Sequence, residues 1–248
     1  MGEYLILRFD GPMQAWGDVA VDSWRPSRAF PSLSALVGML GSALGWTYRD
    51  ASRTTRLQDS LRYAVLEERT PRVIQDFHTA DLDRIGLAGW TRWGIERRGG
   101  ANADGTQVQR KQYLADGSFI VAFTLDVESP ASLSDVEAAL ALPARPLFLG
   151  RKGCVPASQI LVGRVTATSS YDALTTWASN PALRDPWRGP LDAWCWYGAG
   201  EGPEAAEHLT TWDRRNFETD RFAGSRTISR RRMTLAHRLD QQGQPNGS

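Results

Sequence analysis

Lysine is nearly absent from this chain. Of its 29 basic residues only Lys111 and Lys152 are lysines, and the others are arginines. Cysteine is scarce as well: Cys154 and Cys195 are too few for a disulfide framework or a four-ligand zinc site. Three histidines, His78, His208 and His237, stand far apart. No His/Cys set has metal-ligand spacing, so neither a metal nor another cofactor is expected. A Walker loop and a Gly-x-Ser-x-Gly elbow are both missing. No apolar run reaches the roughly 20 residues that a bilayer requires, so no membrane partner is expected. The chain opens on a charged strand rather than a basic segment leading into an apolar one. No secretory signal is therefore expected, and a reducing cytoplasm is the default compartment.

An excess of one charge is lacking too. The net charge is +1, which excludes a protein that is basic all over. What is present is arginine in clusters. A GC-rich coding bias raises arginine everywhere but does not group it. Both lysines stand beside an arginine, in Arg110-Lys111 and Arg151-Lys152. Arg214, Arg215, Arg221, Arg226, Arg230, Arg231, Arg232 and Arg238 crowd one C-terminal segment whose acids are Glu218 and Asp220. The arginine fork pairs with phosphate and stacks on bases. Such a block meets a polyanion or an acidic partner, or else is a solvated, fraying end.

The chain, 248 residues with 42% hydrophobic content, can bury a core. Tyr4 to Phe9 suit a buried strand, which Gly11-Pro12 stops. The loop that follows, Gly11-Pro12-Met13-Gln14-Ala15-Trp16-Gly17, sets an amide and a Trp between glycines. Glycine permits close approach of backbone, and Trp offers a flat face. The loop is either a ligand platform or a tight turn whose Trp folds back as a core lid. Trp24 to Pro31 should be extended, with Arg25 and Arg28 phosphate-facing or solvated. Leu33, Leu36, Val37, Leu40 and Leu44 then recur at helical spacing. Ser32 or Ser34 can cap this helix, whose free N–H groups can face an anion. Gly38 and Gly41 cost it about 1 kcal/mol each, a cost offset by close packing on a sheet or partner.

Beyond a short helix near Asp50 to Leu61, Tyr63 to Glu67 reads as a strand, and Arg72 to Thr79 as an extended piece ending in His78. Residues 80 to 106 show no periodicity, but interleave Gly, charge, Trp90 and Trp93. They read as an arm touching nucleic acid or a neighbour, or as a disordered insertion. Asp116-Gly117 marks a turn into the strand Ser118 to Leu125. A capped helix, Ser132 to Leu142, leads to the basic turn Gly150-Arg151-Lys152-Gly153 and the strand Ile160 to Val165. The order strand, helix, strand, arm, strand, helix, strand is the split βαβ or ferredoxin-like pattern, α+β in class. Its second sheet face is expected to be free for a ligand. A helix at Tyr171 to Ala178 and a strand at Asp192 to Tyr197 follow, with Trp177, Trp187, Trp194 and Trp196 expected as one packed cluster. One catalytic idea survives. His78, Lys111 and Tyr113 have the chemistry for metal-free RNA cleavage, with a general base on a 2′-OH and a cation on the phosphate. The same residues serve equally to hold RNA uncut.

Several stretches taken in order carry a resemblance. They are Tyr4 to Arg8, Gly11 to Gly17, Arg25-Pro26 through Phe30-Pro31, the Gly38/Gly41 helix, Asp76 to Thr79, Tyr113 to Phe119 and Leu149 to Lys152. Together they resemble the CasD family, a subunit type of the type I-E CRISPR Cascade complex, from the first strand to about Val165. The resemblance implies a ferredoxin-like RNA-binding domain over 1–168, a β-hairpin thumb inserted at about 78–117, a C-terminal extension over 169–240 packed on it, and a disordered tail over 241–248. It implies a cytoplasmic, non-catalytic subunit that caps the 5′ handle of the CRISPR RNA in antiviral defence. The implied partners are that RNA, the Cascade backbone subunit, the large subunit and, indirectly, target DNA. The expected RNA contacts are Gln14, Trp16, Arg25, Arg28, Arg110, Lys111, Tyr113, Arg151 and Lys152. Related subunits of another subtype cleave precursor RNA, so a metal-free endoribonuclease using His78, Lys111 and Tyr113 is the alternative.

Overall fold

The structure is a computed structural model that describes residues 1–81, 90–91, 94–95, 106–180, 182–183, 191–204, 207–219 and 221–235. The chain starts with strand β1 (Gly2–Asp10) and the short strands β2 (Met13–Gln14) and β3 (Trp24–Arg25). Helix α1 (Leu33–Ala43) follows, with the Ser32 hydroxyl accepting from the Ala35 N–H as its cap. A 3-10 turn at Tyr48–Asp50, closed by a Thr47/Asp50 capping box, leads into α2 (Ala51–Ser60) and β4 (Leu61–Arg69). Next come β5 (Arg72–Asp81), the two-residue strands β6 (Trp90–Thr91) and β7 (Gly94–Ile95), and β8 (Thr106–Ala115). Then β9 (Ser118–Leu125), α3 (Leu133–Ala141), β10 (Leu161–Ala167), α4 (Ser170–Ser179), β11 (Leu191–Gly198), β12 (Glu207–Asn216) and β13 (Arg221–Leu235) complete the chain. The class is α+β with mostly antiparallel sheets, and the expected order of strands and helices up to β10 is present.

Seven strands form one sheet in the order β10-β1-β9-β4-β11-β13-β12, antiparallel throughout. Side chains alternate across it. Leu5, Leu7, Phe9, Val65, Phe119, Val121 and Phe123 join α1 and α3 in one core. Tyr4, Ile6, Ala64, Leu66, Ile120 and Ala122 join Ala173, Leu174 and Trp177 of α4 in the other. Each fully buried side chain of this size contributes about 1.5–3 kcal/mol. A surface ion pair contributes about 0–1 kcal/mol, so the two-sided core dominates stability.

The second core corrects the expectation of a free sheet face. Helix α4 covers that face, with Trp177 fully buried. It also divides the expected Trp cluster. Trp177 lies on one side of the sheet. Trp196 lies on the other, with its ring stacked 5.1 Å from Phe30. Trp194 sits beside the Arg230 guanidinium, 4.0 Å away. Trp187 lies outside the described residues.

Separately, β8 has β5 on one edge over ten paired positions, from Arg72 opposite Ala115 to Asp81 opposite Thr106. Its other edge takes β2 and, in parallel, β3. Most of the aperiodic stretch at 80–106 lies outside the described residues.

Candidate nucleic-acid interface

Where β1 ends, the Gly11 to Gly17 loop turns back under constraint. A Cβ at Gly11 would sit 2.8 Å from the Val155 carbonyl oxygen. The Gln14 amide donates to the carbonyls of Phe9 (2.9 Å) and Gly117 (2.8 Å). The Trp16 ring packs 5.1 Å from Phe9. Both side chains are fully buried. The loop takes the tight-turn form, with Gln14 and Trp16 turned into the core. Their role is to fix the loop backbone, whose Trp16 carbonyl accepts from the Ser32 hydroxyl at the start of α1.

The basic turn at Arg151 locks against the same loop. Gly150 has φ +94°, and a Cβ there would meet the Ala15 carbonyl oxygen at 1.7 Å. No other residue fits this approach. Ala15 N–H donates to the Leu149 carbonyl at 3.0 Å. The Arg151 guanidinium donates to the carbonyls of Gln112 (2.7 Å) and Arg25 (2.9 Å), and lies 4.6 Å over the Tyr113 ring. Arg25 sits opposite Lys111 across β3 and β8 and donates to the Asp22 and Trp24 carbonyls. The fold thus brings Arg25, Lys111, Tyr113 and Arg151 together, with Lys152 exposed in the same turn.

The remaining expected residues go elsewhere. Arg110, next to Lys111 on β8, projects from the opposite face, 5.4 Å from the Phe77 ring. Arg28 pairs with Asp18 at 2.7 Å and donates to Thr211 and the Trp212 carbonyl, tethering the chain before α1 to β12. His78 lies 2.6 Å from the Asp76 carboxylate. In register, His78 faces Gln109, two residues from Lys111 and four from Tyr113. At about 3.4 Å per residue, the His78 and Tyr113 positions are about 14 Å apart along the strand. Tyr113 is also buried beneath Arg151.

The N-terminus of α1 already has its anion, and it belongs to the chain itself. The Asp213 carboxylate accepts from the Leu33 N–H at 2.9 Å and from Arg226 at 2.8 Å. Burial alone would raise the Asp213 pKa, but the Arg226 guanidinium and the Leu33 N–H hold it below the usual carboxylate value. Burial pushes the pKa of the neighbouring Tyr63 phenol upward, so it stays neutral. Sequence reasoning missed Asp213, because its partners lie 180 and 13 residues away.

Beside these elements runs an open groove of about 750 Å3. The loop from Ala15 to Ala20 forms one wall. Ser34, Ala35, Gly38 and Ser42 of α1 line it, and Pro146 to Phe148 close another side. A Cβ at Gly38 would meet nothing within 4 Å, so this glycine faces open space, whereas Gly41 is buried and a Cβ there would lie 3.7 Å from the Trp46 ring. Arg25, Arg151, Arg215 and Arg221 stand on the groove's lining.

The partners of the arginines separate them physically. Arg226, Arg230, Arg232 and Arg214 pair with Asp213, Glu207, Asp192 and Asp59 inside the chain. The arginine-rich segment is therefore no fraying end over its described residues. Much of its charge is neutralised internally, and Arg238 lies outside them. Arg25 and Arg151 instead donate to neutral carbonyls, which position the guanidinium without cancelling its charge. The result is a groove with Arg25 and Arg151 on its lining, where the acid Asp18 is already paired with Arg28.

A family model described as CRISPR-associated protein (Cas_Cas5) matches residues 4–233. The chain is 33% identical over 182 residues to the CRISPR system Cascade subunit CasD of Escherichia coli (strain K12), covering 70% of this chain and 76% of that protein. Among solved structures, a chain of a CRISPR RNA-guided surveillance complex superposes with a TM-score of 0.71 at 25% identity, covering 96% of each chain. A crystal structure of a Cas protein superposes at 0.59 with 22% identity over 94% and 95% of the two chains, a likeness of fold. The chain belongs to the Cas5 family of CRISPR-associated proteins.

Proposed function

We propose that the chain is a non-catalytic, RNA-binding subunit of a type I-E CRISPR Cascade surveillance complex, acting in antiviral defence in the cytoplasm. It holds the 5′ handle of the CRISPR RNA in the groove between the Gly11–Gly17 loop and α1, and bridges the backbone and large subunits. The observation that carries this reading is the cationic rim: Arg25 and Arg151 are oriented by carbonyls, so their charges are available to phosphate. Lys111 and Lys152 extend the same positive surface.

The strand order supports the fold side of the reading. Counting β1, β4, β9 and β10 as the first to fourth core strands, their order is fourth, first, third, second. This is the ferredoxin-like arrangement. The hairpin of β5 and β8 is the thumb. Its exposed Val73, Ile74, Phe77 and Val108 suit a protein neighbour. Strands β11, β13 and β12 are the C-terminal extension, docked on the free edge of β4.

The binding role is favoured over cleavage because Tyr113 lies under Arg151 and far along the strand from His78. Incubating the full chain with labelled repeat RNA in EDTA tests this. Salt-sensitive binding with intact RNA is expected. Site-specific cleavage that disappears in His78→Ala overturns it.

A further inference from the structure

The groove's lining runs along α1 from Ser34 to Ser42, one residue before the helix ends. The surface beyond that end is assigned nothing by the motifs or by the family reading. We infer that the corner made there by Tyr48, Arg49, Arg53 and Arg56 is a second contact surface for single-stranded RNA, across which the strand continues when it leaves the groove. This rests on the groove being an RNA site.

Three observations carry it. First, the corner holds an aromatic ring out in solvent on a fixed frame. Tyr48 is 83% exposed, more than any other aromatic ring of the described residues. The Thr47/Asp50 capping box fixes its backbone, with the Thr47 N–H donating to the Asp50 carboxylate at 2.8 Å. The Arg49 Nε donates to the Tyr48 hydroxyl at 3.3 Å and ties guanidinium and ring together.

Second, Arg49, Arg53 and Arg56 recur at i, i+4 and i+7 through the 3-10 turn and α2, so they share one face, and all three are exposed. Arg53 is partly neutralised, since Asp50 lies 3.8 Å away and its own guanidinium stands 4.6 Å over the Trp46 ring. The partner of Arg49 is the neutral Tyr48. Arg56 has no partner among the described residues. Like charges one turn apart destabilise a helix, and a bound anion removes that cost.

Third, the corner is continuous with the groove. Pro146 lines the groove, and Arg145 beside it donates to the Gly45 and Trp46 carbonyls, at 2.6 and 2.8 Å. The Thr47 N–H lowers the Asp50 pKa most, and the charges of Arg53 and Arg145 add to it. Arg145 thus stands between the groove and the corner and belongs to the same field.

The chemistry selects the occupant. Guanidinium groups pair with phosphate and stack on bases. An open tyrosine face takes a base that a duplex keeps stacked on its own neighbours. An acidic peptide would meet the arginines and offer the ring no base to stack on.

The test uses the full-length chain, a labelled single-stranded repeat RNA and a duplex DNA, with affinity measured at several salt concentrations. Tyr48→Ala is expected to bind the RNA about fivefold more weakly or worse, at an unchanged salt slope, because stacking carries no charge. Arg49→Gln/Arg56→Gln is expected to lose a similar factor, with the dependence of log affinity on log salt shallower by about 0.7 per lost phosphate contact. Both variants should melt as the wild type does, since these side chains are exposed. If the double variant no longer melts cooperatively, Arg56→Gln alone, which has no described partner to lose, decides by the same change in slope. Wild-type affinity and slope in every variant overturn the inference and leave the groove reading intact. Weakened duplex-DNA binding with unchanged RNA binding also overturns it and gives the corner to DNA. Failure of the wild type to bind RNA overturns the groove reading, and this inference with it.

Discussion

Arg151 lies with its guanidinium 4.6 Å from the centre of the Tyr113 ring, and from that seat reaches the carbonyls of Gln112 and Arg25. One side chain thereby joins the basic turn, β8 and β3. The stacking leaves Tyr113 buried beneath a guanidinium that stands on the groove's lining. Position and charge are supplied together, since none of these three partners is an anion.

Replacing Arg151 therefore has two separable effects. Arg151→Lys keeps the charge but loses the planar fork, and should lower the melting temperature by a few degrees while retaining most of the RNA affinity. Arg151→Ala should cost about 2 kcal/mol of stability, from the lost cation–π contact and charged hydrogen bonds, and should also flatten the salt dependence of RNA binding. Urea denaturation and binding titrations of both variants check this. Equal RNA affinity in Arg151→Ala and wild type would contradict it.

Asp213 should make stability pH-dependent in the acid range. Its folded-state pKa lies below its unfolded value. Its contribution is therefore complete above about pH 4, near the unfolded value. It is lost as the pH falls through the folded pKa. Asp213→Asn cannot take the charge and leaves Arg226 unpaired in the core, at a cost of about 3–5 kcal/mol near neutral pH. The gap between wild type and variant should narrow below about pH 4. Urea midpoints measured from pH 7 to 3 give the answer, and a constant gap across that range would refute the assignment.

Two glycines predict opposite outcomes for one substitution. Gly150→Ala drives a Cβ into the Ala15 carbonyl at a backbone angle suited to glycine, and should destabilise by more than about 3 kcal/mol or prevent folding. Gly38→Ala points into open groove and removes a helix penalty of about 1 kcal/mol, so it should raise the melting temperature. Thermal melts of the pair are sufficient, and the reverse ordering would show that the groove is not open at Gly38.

Much of this was legible in the residues. The apolar runs of β1, β4 and β9 announce strands, and Asp116, at φ +56°, makes the turn that Asp116-Gly117 signals. The same runs held a message that alternation-based reading passes over. Tyr4 to Leu7 are buried without a break, so both faces of the sheet need cover, and α4 provides it. Gln14 and Trp16 looked like ligand contacts because their neighbours are glycines. Gly11 serves the loop's own packing, Gly150 lets the neighbouring turn close on it, and Gly17 supplies a positive φ of +47°. Arginine clustering was visible too. Which arginines keep their charge was not, because the acids that neutralise Arg226, Arg230 and Arg214 lie 13, 23 and 155 residues away. The folded pairing of β12 with β13 joins Asp213 to Arg226 and Glu207 to Arg230, and α2 brings Asp59 to Arg214.

The central claim is that the groove over α1 holds the RNA. Gly38→Trp tests it most directly, because Gly38 lines the groove and its Cβ position opens into free space. Binding of labelled repeat RNA to the wild type and to Gly38→Trp, with melting temperatures measured in parallel, is the decisive comparison. The account predicts a loss of affinity of tenfold or more with cooperative melting retained. Undiminished RNA binding by a folded Gly38→Trp protein would contradict it.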